Sequence, residues 1–302
     1  MPDDTSLNAA HAGTYPLGTH TVARVGFGAM QLERCAATPA AALALVRRAI
    51  ELGVNHIDTA QFYADGFANR IIGEAVRETP GAVVVTKVGA EPAPEARIPL
   101  RPAQRPEQLR ASIEDNLRSL GVEQLAVVNL RRLDVGPGLT AQGDQVVDLD
   151  DQLAVMFSLR DEGKIGAVGL SGVGLDELDR ALPGGIVCVQ NAYSLASRQY
   201  EPLLERCAAH GVAWVPFFPL GGAHFPGWPS VTQRPKVIEV AARLGITPSQ
   251  LGLAWLLAHR PNTLLIPGTA SIRHLEENIA VAAISLDGPV LAELAADGAQ
   301  AH

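Results

Sequence analysis

Eight short apolar runs rich in β-branched residues alternate along the chain with longer stretches whose apolar residues recur at helical spacing. The runs are VARVGFG (22–28), VNHID (54–58), AVVVTK (82–87), LAVVNL (125–130), IGAVGLS (165–171), IVCVQN (186–191), VAWVPFF (212–218) and TLLIPG (263–268). Runs that are apolar on both faces predict a parallel sheet covered on both sides. Eight such strands, each followed by a helix, predict a single-domain α/β protein with the (β/α)8 TIM-barrel fold.

Helices are expected near 39–52, 68–78, 106–120, 147–162, 174–182, 197–210, 235–258 and 271–283. An open doubly wound sheet is the alternative fold. That fold carries GxGxxG after its first strand, whereas GFGAMQ (26–31) lacks the third glycine and GLSGVG (169–174) has the wrong spacing. We therefore expect one barrel over residues 21–302, preceded by a polar N-terminal segment, residues 1–20.

Composition and charge narrow the class of partner. The formal net charge is -8 and the basic residues are scattered, which argues against nucleic-acid binding and favours a small-molecule partner. Cys35, Cys188 and Cys207 lack CxxC spacing, so neither a disulfide framework nor a thiolate metal site is expected. No stretch has the length and apolarity of a membrane span, and residues 1–20 lack a signal-peptide pattern. These features predict a cytoplasmic monomer or small homo-oligomer.

Three polar residues follow or end apolar runs and suggest chemistry. Asp58 and Tyr63 lie in HIDTAQFYADGFANRIIG (56–73), and Lys87 ends VVVTK. Barrel enzymes place their active sites at the C-terminal ends of the strands. A lysine cation beside a tyrosine favours the tyrosinate, and an aspartate holds that lysine charged, so the three could protonate a carbonyl oxygen. In the alternative interpretation, Asp58 caps the next helix and pairs structurally with Lys87, while Tyr63 packs at the rim.

The chain resembles the aldo-keto reductases over nearly its whole length. The motifs that carry the resemblance are VGFGAMQL (25–32), HIDTAQFY, VVVTK, GLSG (169–172), CVQNAYS (188–194), PLGG (219–222) and IPGTASIRHLEEN (266–278). The resemblance implies a (β/α)8 barrel that binds NADPH or NADP+ in an extended pose without a Rossmann domain or a metal. It also implies hydride transfer between the nicotinamide and a carbonyl or alcohol.

Position by position, the resemblance makes Tyr63 the proton donor, with Lys87 and Asp58 as the pair that strengthens it as an acid. The fourth catalytic position, usually a histidine, falls at Asn129 in VVNLRRLD. An asparagine amide can donate a hydrogen bond to a substrate oxygen, but it cannot titrate. With asparagine at this position, the segment VVNLR of this chain resembles a bacterial branch of the family that includes pyridoxal reductases.

The same resemblance implies a set of residues that bind the cofactor. Ser171, Gln190 and Asn191 would hold the carboxamide, and Phe217 would stack on the nicotinamide. The turn of Pro219, Leu220 and Gly221, which follows Phe217 and Phe218, would also contact the cofactor. It begins the segment 219–234, which could fold over the barrel mouth or be a passive surface loop. The adenosine 2′-phosphate and adenine would contact the start of the last predicted helix, at Gly268, Thr269, Ser271, Arg273, His274, Glu277 and Asn278; a capped surface helix is the alternative there.

The expected function is therefore an NADPH-dependent reductase that converts an aldehyde or ketone to an alcohol, with Tyr63 as the proton donor. Its small-molecule carbonyl substrate could be a pyridoxal-like aldehyde or a ketone or imine from a biosynthetic route. Two other functions remain open on the same barrel. One is a redox sensor that binds the nicotinamide cofactor with little turnover, and the other is non-redox chemistry at a carbonyl.

Overall fold

A computed structural model describes residues 7–96, 98–135, 138–221 and 229–299. The elements in chain order are β1 (Thr14–Leu17), β2 (His20–Ala23), β3 (Phe27–Gly28), α1 (Pro39–Glu51), β4 (His56–Asp58), α2 (Phe67–Glu78), β5 (Val83–Val88), β6 (Ala90–Pro92), β7 (Leu100–Pro102), α3 (Pro106–Leu120), β8 (Leu125–Arg131), α4 (Leu149–Asp161), β9 (Ile165–Ser171), α5 (Leu175–Ala181), β10 (Cys188–Gln190), α6 (Glu201–Ala209), β11 (Ala213–Trp214), α7 (Pro235–Leu244), α8 (Pro248–His259), α9 (Ile272–Ala280) and α10 (Gly288–Ala299).

Seven parallel strands form one sheet in the order β11-β10-β9-β8-β5-β4-β3. Residues 263–268 close the gap between its two edges. The Leu264 amide donates to the Trp214 carbonyl oxygen and the Leu265 amide donates to the Arg24 carbonyl oxygen, both at 2.8 Å. Further parallel bridges join Val25 to Leu265 and Gly28 to Gly268. The sheet is therefore a closed eight-membered ring, which confirms the predicted (β/α)8 barrel in a single domain.

The N-terminal hairpin of β1 and β2 closes one end of the barrel. Its Leu17 and Val22 are fully buried in one apolar cluster with the inward-facing side chains Val83, Val85, Val127, Cys188, Ala213, Val215, Leu264 and Ile266. Gly18 at the hairpin turn lies against Ala167, near the start of β9. Since the hairpin covers the N-terminal ends of the strands, the C-terminal ends are left for a site. A second, larger cluster fills the layer between the strands and the helices.

Four features differ from the expectations. The run 22–28 is divided between hairpin strand β2 and barrel strand β3. The prediction of one helix over 235–258 is wrong, because Gly245 takes the left-handed conformation with φ 68° and Thr247 caps a new helix whose first residue is Pro248. Helix α10 lies beyond the last predicted helix. Residues 14–17 of the expected N-terminal segment belong to the hairpin.

No single helix in the described ranges is long and apolar enough to cross a membrane. One bent pair, Ile272–Ala283 with Gly288–Ala296, could do so by length and composition only.

Close packing of α2 on α3 requires a glycine at position 73, because a Cβ there would lie 2.3 Å from the Leu120 carbonyl oxygen. We expect Gly73→Ala to lower the free energy of unfolding by about 1–3 kcal/mol in urea denaturation, since a backbone atom cannot yield as a side chain can. The matched control is Gly288→Ala at the start of α10, where a Cβ would meet nothing within 4 Å. Equal stability of Gly73→Ala and the wild type would contradict the packing argument.

Candidate active site

The three residues singled out by their order in the chain meet at the C-terminal mouth of the barrel. Asp58 ends β4, Lys87 lies in the neighbouring strand β5, and Tyr63 lies in the loop after β4. The Lys87 ammonium donates to Asp58 Oδ1 at 2.5 Å, to the Thr59 carbonyl oxygen at 3.0 Å and to the Tyr63 hydroxyl at 3.2 Å. An ammonium has three donors, so each of them has a partner.

The charge of Lys87 depends on these contacts. The lysine is 5% exposed and Asp58 is 2% exposed, so neither charge is well hydrated. Burial by itself would lower the pKa of Lys87, but the Asp58 carboxylate and Tyr63 outweigh burial and the pKa of the ammonium is raised. Lys87 is therefore a fixed cation beside the tyrosine hydroxyl at neutral pH. Asp58 does not cap α2, whose N-cap is Gly66, so this part of the structural alternative is wrong.

A strained turn presents Tyr63. Ala64 and Asp65 have φ values of 48° and 50°, and Gly66 follows at 74°, so three consecutive residues are left-handed. Such a conformation costs about 1–2 kcal/mol for each residue with a Cβ. The turn is held by the Gly66 amide, which donates to the Gln61 carbonyl oxygen at 2.7 Å. The Phe62 ring also packs edge to face on Tyr63, with ring centroids 5.2 Å apart.

A buried amide network lies behind this turn. Asn69 accepts from the Thr59 hydroxyl at 2.8 Å and donates to Asn116 Oδ1 at 2.9 Å, and the Thr86 hydroxyl donates to the same Asn116 oxygen at 2.6 Å. The network joins β4, β5, α2 and α3, so it fixes the strand ends that carry Asp58 and Lys87. Asn69 and Asn116 were not predicted from the sequence, where the available signal was a polar residue on the buried face of each helix.

Asn129 lies in the ring of inward-facing residues, paired in register with Lys87 on one side and Gly169 on the other. Its Oδ1 accepts a hydrogen bond from the Cys188 thiol at 3.2 Å, whereas its Nδ2 is buried without a partner among the described residues. A Cβ at position 169 would lie 2.1 Å from Asn129 Oδ1, so the glycine makes room for this amide. Burial raises the pKa of Cys188, which stays a neutral thiol.

The carboxamide set predicted from the family divides into two roles. Gln190 donates from Nε2 to Asp58 Oδ2 at 2.7 Å, and its Oε1 is buried and lacks a partner in the described part of the chain. Ser171 pairs in register with Gln190. Asn191 instead holds the loop after β9, because its Oδ1 accepts from the Gly172 amide at 3.0 Å and its Nδ2 donates to the Val173 carbonyl oxygen at 2.8 Å.

The two remaining cofactor segments follow β11 and the closing segment. The Phe217 amide donates to the Asn191 carbonyl oxygen at 3.1 Å, and Gly221 has φ 77° in the turn that also contains Pro219 and Leu220. The segment 219–234, expected either to fold over the mouth or to be a passive surface loop, includes residues 222–228, which lie outside the described residues. At the closing segment, the Ser271 amide donates to the Thr269 hydroxyl at 3.0 Å.

The predicted phosphate ligands surround the start of α9. Arg273 is exposed and donates to Glu277 Oε1 at 2.6 Å and to His274 Nε2 at 2.7 Å. Gly268 permits close approach, because a Cβ there would lie 2.8 Å from the Gly28 carbonyl oxygen. Asn278 is half-buried on the same helix. These side chains therefore form one cluster, in which Arg273 is paired with Glu277.

Two further groups belong to this end of the barrel. His56 lies two residues before Asp58 on β4, is fully buried, and has no partner for either ring nitrogen among the described residues. Arg131 ends β8 with its guanidinium carbon 5.5 Å from the centroid of the Phe62 ring. No role for Arg131 was predicted from the sequence. No group of three His, Cys, Asp or Glu side chains in the described ranges could hold a metal ion.

A family model described as the aldo/keto reductase family matches residues 24–296. The pyridoxine 4-dehydrogenase of Escherichia coli K12 is 40% identical over 294 residues, covering 94% of this chain and 97% of that protein. An uncharacterized oxidoreductase of Schizosaccharomyces pombe is 32% identical, covering 97% of this chain and 92% of that protein.

Solved structures give the same result. An aldo/keto reductase of Klebsiella pneumoniae in complex with NADP and acetate superposes with a TM-score of 0.77 at 30% identity, covering 93% of each chain. A glycerol dehydrogenase of Gluconobacter oxydans superposes with a TM-score of 0.80, but at 20% identity it supports the fold alone. With the barrel and the paired Lys87 described above, the family match establishes that the chain belongs to the aldo/keto reductase family, whose members are oxidoreductases.

The buried His56 predicts acid sensitivity of the fold. Burial lowers its pKa to about 4 from the ordinary value of 6.5, so the folded protein keeps the imidazole neutral where the unfolded chain binds a proton. Stability should therefore fall as the pH is lowered from about 6.5 towards 4, by up to about 3 kcal/mol from this group. Urea denaturation of His56→Leu across this window should show a shallower pH dependence than the wild type.

The control for that comparison is His11→Gln, at an exposed position near the N-terminus, which should retain the wild-type pH dependence. If His56→Leu loses stability with acid as steeply as the wild type does, another group is responsible.

Proposed function

We propose that this enzyme is an NADPH-dependent carbonyl reductase in which Tyr63 delivers the proton to the carbonyl oxygen. The observation that carries the proposal is the 3.2 Å contact between the Tyr63 hydroxyl and a Lys87 ammonium whose other two donors are taken by Asp58 and Thr59. A cation held at this distance stabilises the tyrosinate that remains after proton transfer. Lys87 cannot turn away from Tyr63 without giving up its pairing to a buried carboxylate.

Asn129 is proposed to orient the carbonyl oxygen. Its Nδ2 is a buried donor with no partner in the described residues, and its Oδ1 already accepts a hydrogen bond from the Cys188 thiol. A buried donor left without an acceptor is costly, so a substrate oxygen at this place would satisfy it. Unlike histidine, the amide has no proton to transfer near neutral pH, which leaves Tyr63 as the proton source.

NADP(H) fits the mouth of this barrel and, when bound, supplies the hydride for the carbonyl carbon. Gln190 has one buried carbonyl oxygen without a partner, which suits a carboxamide N–H. The Ser171 hydroxyl makes no hydrogen bond to the described residues and lies beside it in register. We propose that Phe217 stacks on the nicotinamide, that Asn191 acts mainly through the loop it holds, and that Pro219, Leu220 and Gly221 border the cofactor.

The 2′-phosphate is proposed to bind at the cluster near the start of α9. Gly268, Thr269 and Ser271 offer a close backbone approach and hydroxyls, while Arg273 and His274 offer donors, and Glu277 and Asn278 lie further along the helix. Phosphate binding would compete with Glu277 for Arg273, since a guanidinium prefers the more highly charged oxyanion.

A pyridoxal-like aldehyde is the substrate that the relatives favour. The Escherichia coli relative, at 40% identity, is a pyridoxine 4-dehydrogenase. A ketone or imine from a biosynthetic route remains the other candidate, because the loops that contact substrate vary most freely in a barrel. Turnover of pyridoxal faster than of simple ketones, measured by the loss of NADPH absorbance, supports the first candidate.

Tyr63→Phe tests the proton donor. The variant should retain NADPH affinity and lose kcat by at least about 100-fold with any aldehyde, since general acid catalysis contributes on that order. Tyr15→Phe, on the hairpin at the opposite end of the barrel, is the control and should retain full activity. Turnover by Tyr63→Phe at the wild-type rate would overturn the assignment of Tyr63 as the proton donor.

The wild type tests the alternative functions. Binding of NADPH without turnover would favour the redox-sensor function, and formation of product without consumption of NADPH would favour non-redox chemistry.

Arg273→Ala tests the phosphate site. The KM for NADPH should rise by about 10-fold or more, because a charge-assisted bond to the 2′-phosphate is lost, while the KM for NADH should stay near its wild-type value. Arg47→Ala, which removes an exposed arginine paired with Glu78 on the outer helices, is the matched control. An equal rise for both cofactors would place the 2′-phosphate elsewhere.

A further inference from the structure

Arg131 carries a positive charge at the barrel mouth, and no carboxylate of the described residues pairs with it. Among the described residues, no carboxylate or carbonyl oxygen accepts a hydrogen bond from its guanidinium, although its own carbonyl oxygen accepts one from Gln104 Nε2 at 2.9 Å. The next residue, Arg132, differs, since it pairs with Asp134 Oδ2 at 2.6 Å and donates to Gln152 Oε1 at 2.7 Å. Two adjacent arginines are thus in opposite situations.

The strand geometry directs Arg131 into the mouth. Alternate residues of a strand point to the same side, and Val127 and Asn129 of β8 both face the interior. Arg131 is the next residue in this series and ends the strand. Its guanidinium carbon lies 5.5 Å from the centre of the Phe62 ring, which itself packs on Tyr63. The cation therefore stands one layer above Asn129, on the side of the mouth that carries the proposed proton donor.

Partial burial makes this unpaired cation unusual. Arg131 is half-buried, and burial lowers the pKa of its guanidinium while Tyr63 opposes the shift. Arginine nevertheless stays charged in proteins, so the group keeps its full charge in a poorly hydrated place. Charges withdrawn from water are normally paired, so this guanidinium is suited to an anionic ligand.

The proposed phosphate site of the cofactor is on the other side of the barrel. Strand β8 is separated from the closing segment 263–268 by β9, β10 and β11 in one direction and by β5, β4 and β3 in the other. The cluster around Arg273 follows that closing segment. A 2′-phosphate bound there would be across the barrel from Arg131, which leaves the substrate or the cofactor diphosphate as the source of an anion, and the KM for NADPH distinguishes the two.

We propose that Arg131 binds an anionic group, a carboxylate or a phosphate, carried by the carbonyl substrate. The inference rests on the proposed carbonyl reductase function and specifies its substrate class. The planar guanidinium offers a two-pronged donor that fits the oxygen pair of either anion. The Phe62 ring beneath it would pack against the apolar part of the substrate, in a wall that also includes Ala60, Ala90 and Leu100.

Matched aldehydes test the proposal. Initial rates with NADPH are measured for 3- and 4-carboxybenzaldehyde and for 3- and 4-nitrobenzaldehyde, whose planar nitro group is neutral and nearly isosteric with a carboxylate. Pyridoxal 5′-phosphate and pyridoxal form the second pair and distinguish a phosphate from a carboxylate. The variants are Arg131→Met, which keeps an unbranched chain over Phe62, and Arg131→Lys, which keeps the charge.

Arg131→Met should lower kcat/KM for the preferred anionic aldehyde by about 10- to 100-fold, mainly through KM, and change its neutral counterpart by less than about 3-fold. Arg131→Lys should recover part of the loss, and the wild-type KM for the anion should rise with salt. Arg101→Met is the control, because Arg101 is an exposed cation of β7 paired with Glu91 and its loss gives the same change in net charge.

Three results would overturn the proposal. Equal losses for anionic and neutral aldehydes would mean that Arg131 only supports Phe62 and Tyr63. A rise in the KM for NADPH would assign the cation to the cofactor. If Arg131→Met leaves kcat/KM unchanged for both substrate pairs, Arg131 has no role in substrate recognition.

A binding measurement separates this proposal from the proposed function. If the wild type fails to oxidise NADPH with any of the anionic or neutral aldehydes, the proposed reductase function is wrong. Calorimetry of benzoate and of inorganic phosphate, with benzamide as the neutral probe, still tests the anion site. Binding of either anion that weakens in Arg131→Met supports the site, and binding unchanged by the variant, or none, overturns it.

Discussion

A buried ammonium is the constraint on which the rest of the site depends. Lys87 is 5% exposed, and an ammonium taken from water costs several kcal/mol unless its charge and its donors are satisfied. Asp58 supplies the charge, and the Thr59 carbonyl oxygen and the Tyr63 hydroxyl supply the other acceptors. Only adjacent strand ends and the loop that follows one of them can bring these three acceptors to one atom. The barrel brings these groups together, and the Lys87 charge in turn holds the tyrosine hydroxyl in place.

The placement of Tyr63 requires a strained turn, and the buried amide network stabilises that turn. Tyr63 reaches the ammonium because Ala64 and Asp65 adopt left-handed backbone conformations that residues with a Cβ avoid. Such strain persists only where surrounding contacts over-determine it. Asn69 provides such contacts, since it accepts from Thr59 beside the site and donates to Asn116 on the neighbouring helix. For the proposed role of Tyr63 this rigidity matters, because a misplaced hydroxyl would protonate a carbonyl oxygen poorly.

The sequence predicted the architecture, and it predicted that Asp58, Tyr63 and Lys87 lie together, because both leave local signals. Eight apolar runs predict eight strand positions, and a polar residue at the end of such a run marks the mouth; Asp58 and Lys87 were found in this way. Contacts between distant segments leave no such signal. The hairpin that plugs the barrel, the use of Asn191 on the loop after β9, and the Asn69–Asn116 network each depend on which segments meet. The break near Gly245 had a local signal, the Thr247 cap and Pro248, but helical spacing on both sides obscured it.

Arg131 could not have been found from the sequence, because its significance lies in a missing partner rather than in a motif. RRLD (131–134) presents two arginines and an aspartate within bonding reach, and the sequence does not say which arginine takes the carboxylate. In the structure Arg132 takes it, so the inward-facing cation has no carboxylate partner within the part of the chain that the structure describes. The mouth then holds two cations with different demands. Lys87 is satisfied by Asp58, Thr59 and Tyr63, whereas Arg131 has no hydrogen-bond acceptor for its guanidinium among the described residues. In the proposed reaction, this division of charge gives one cation to proton transfer and the other to the choice of substrate.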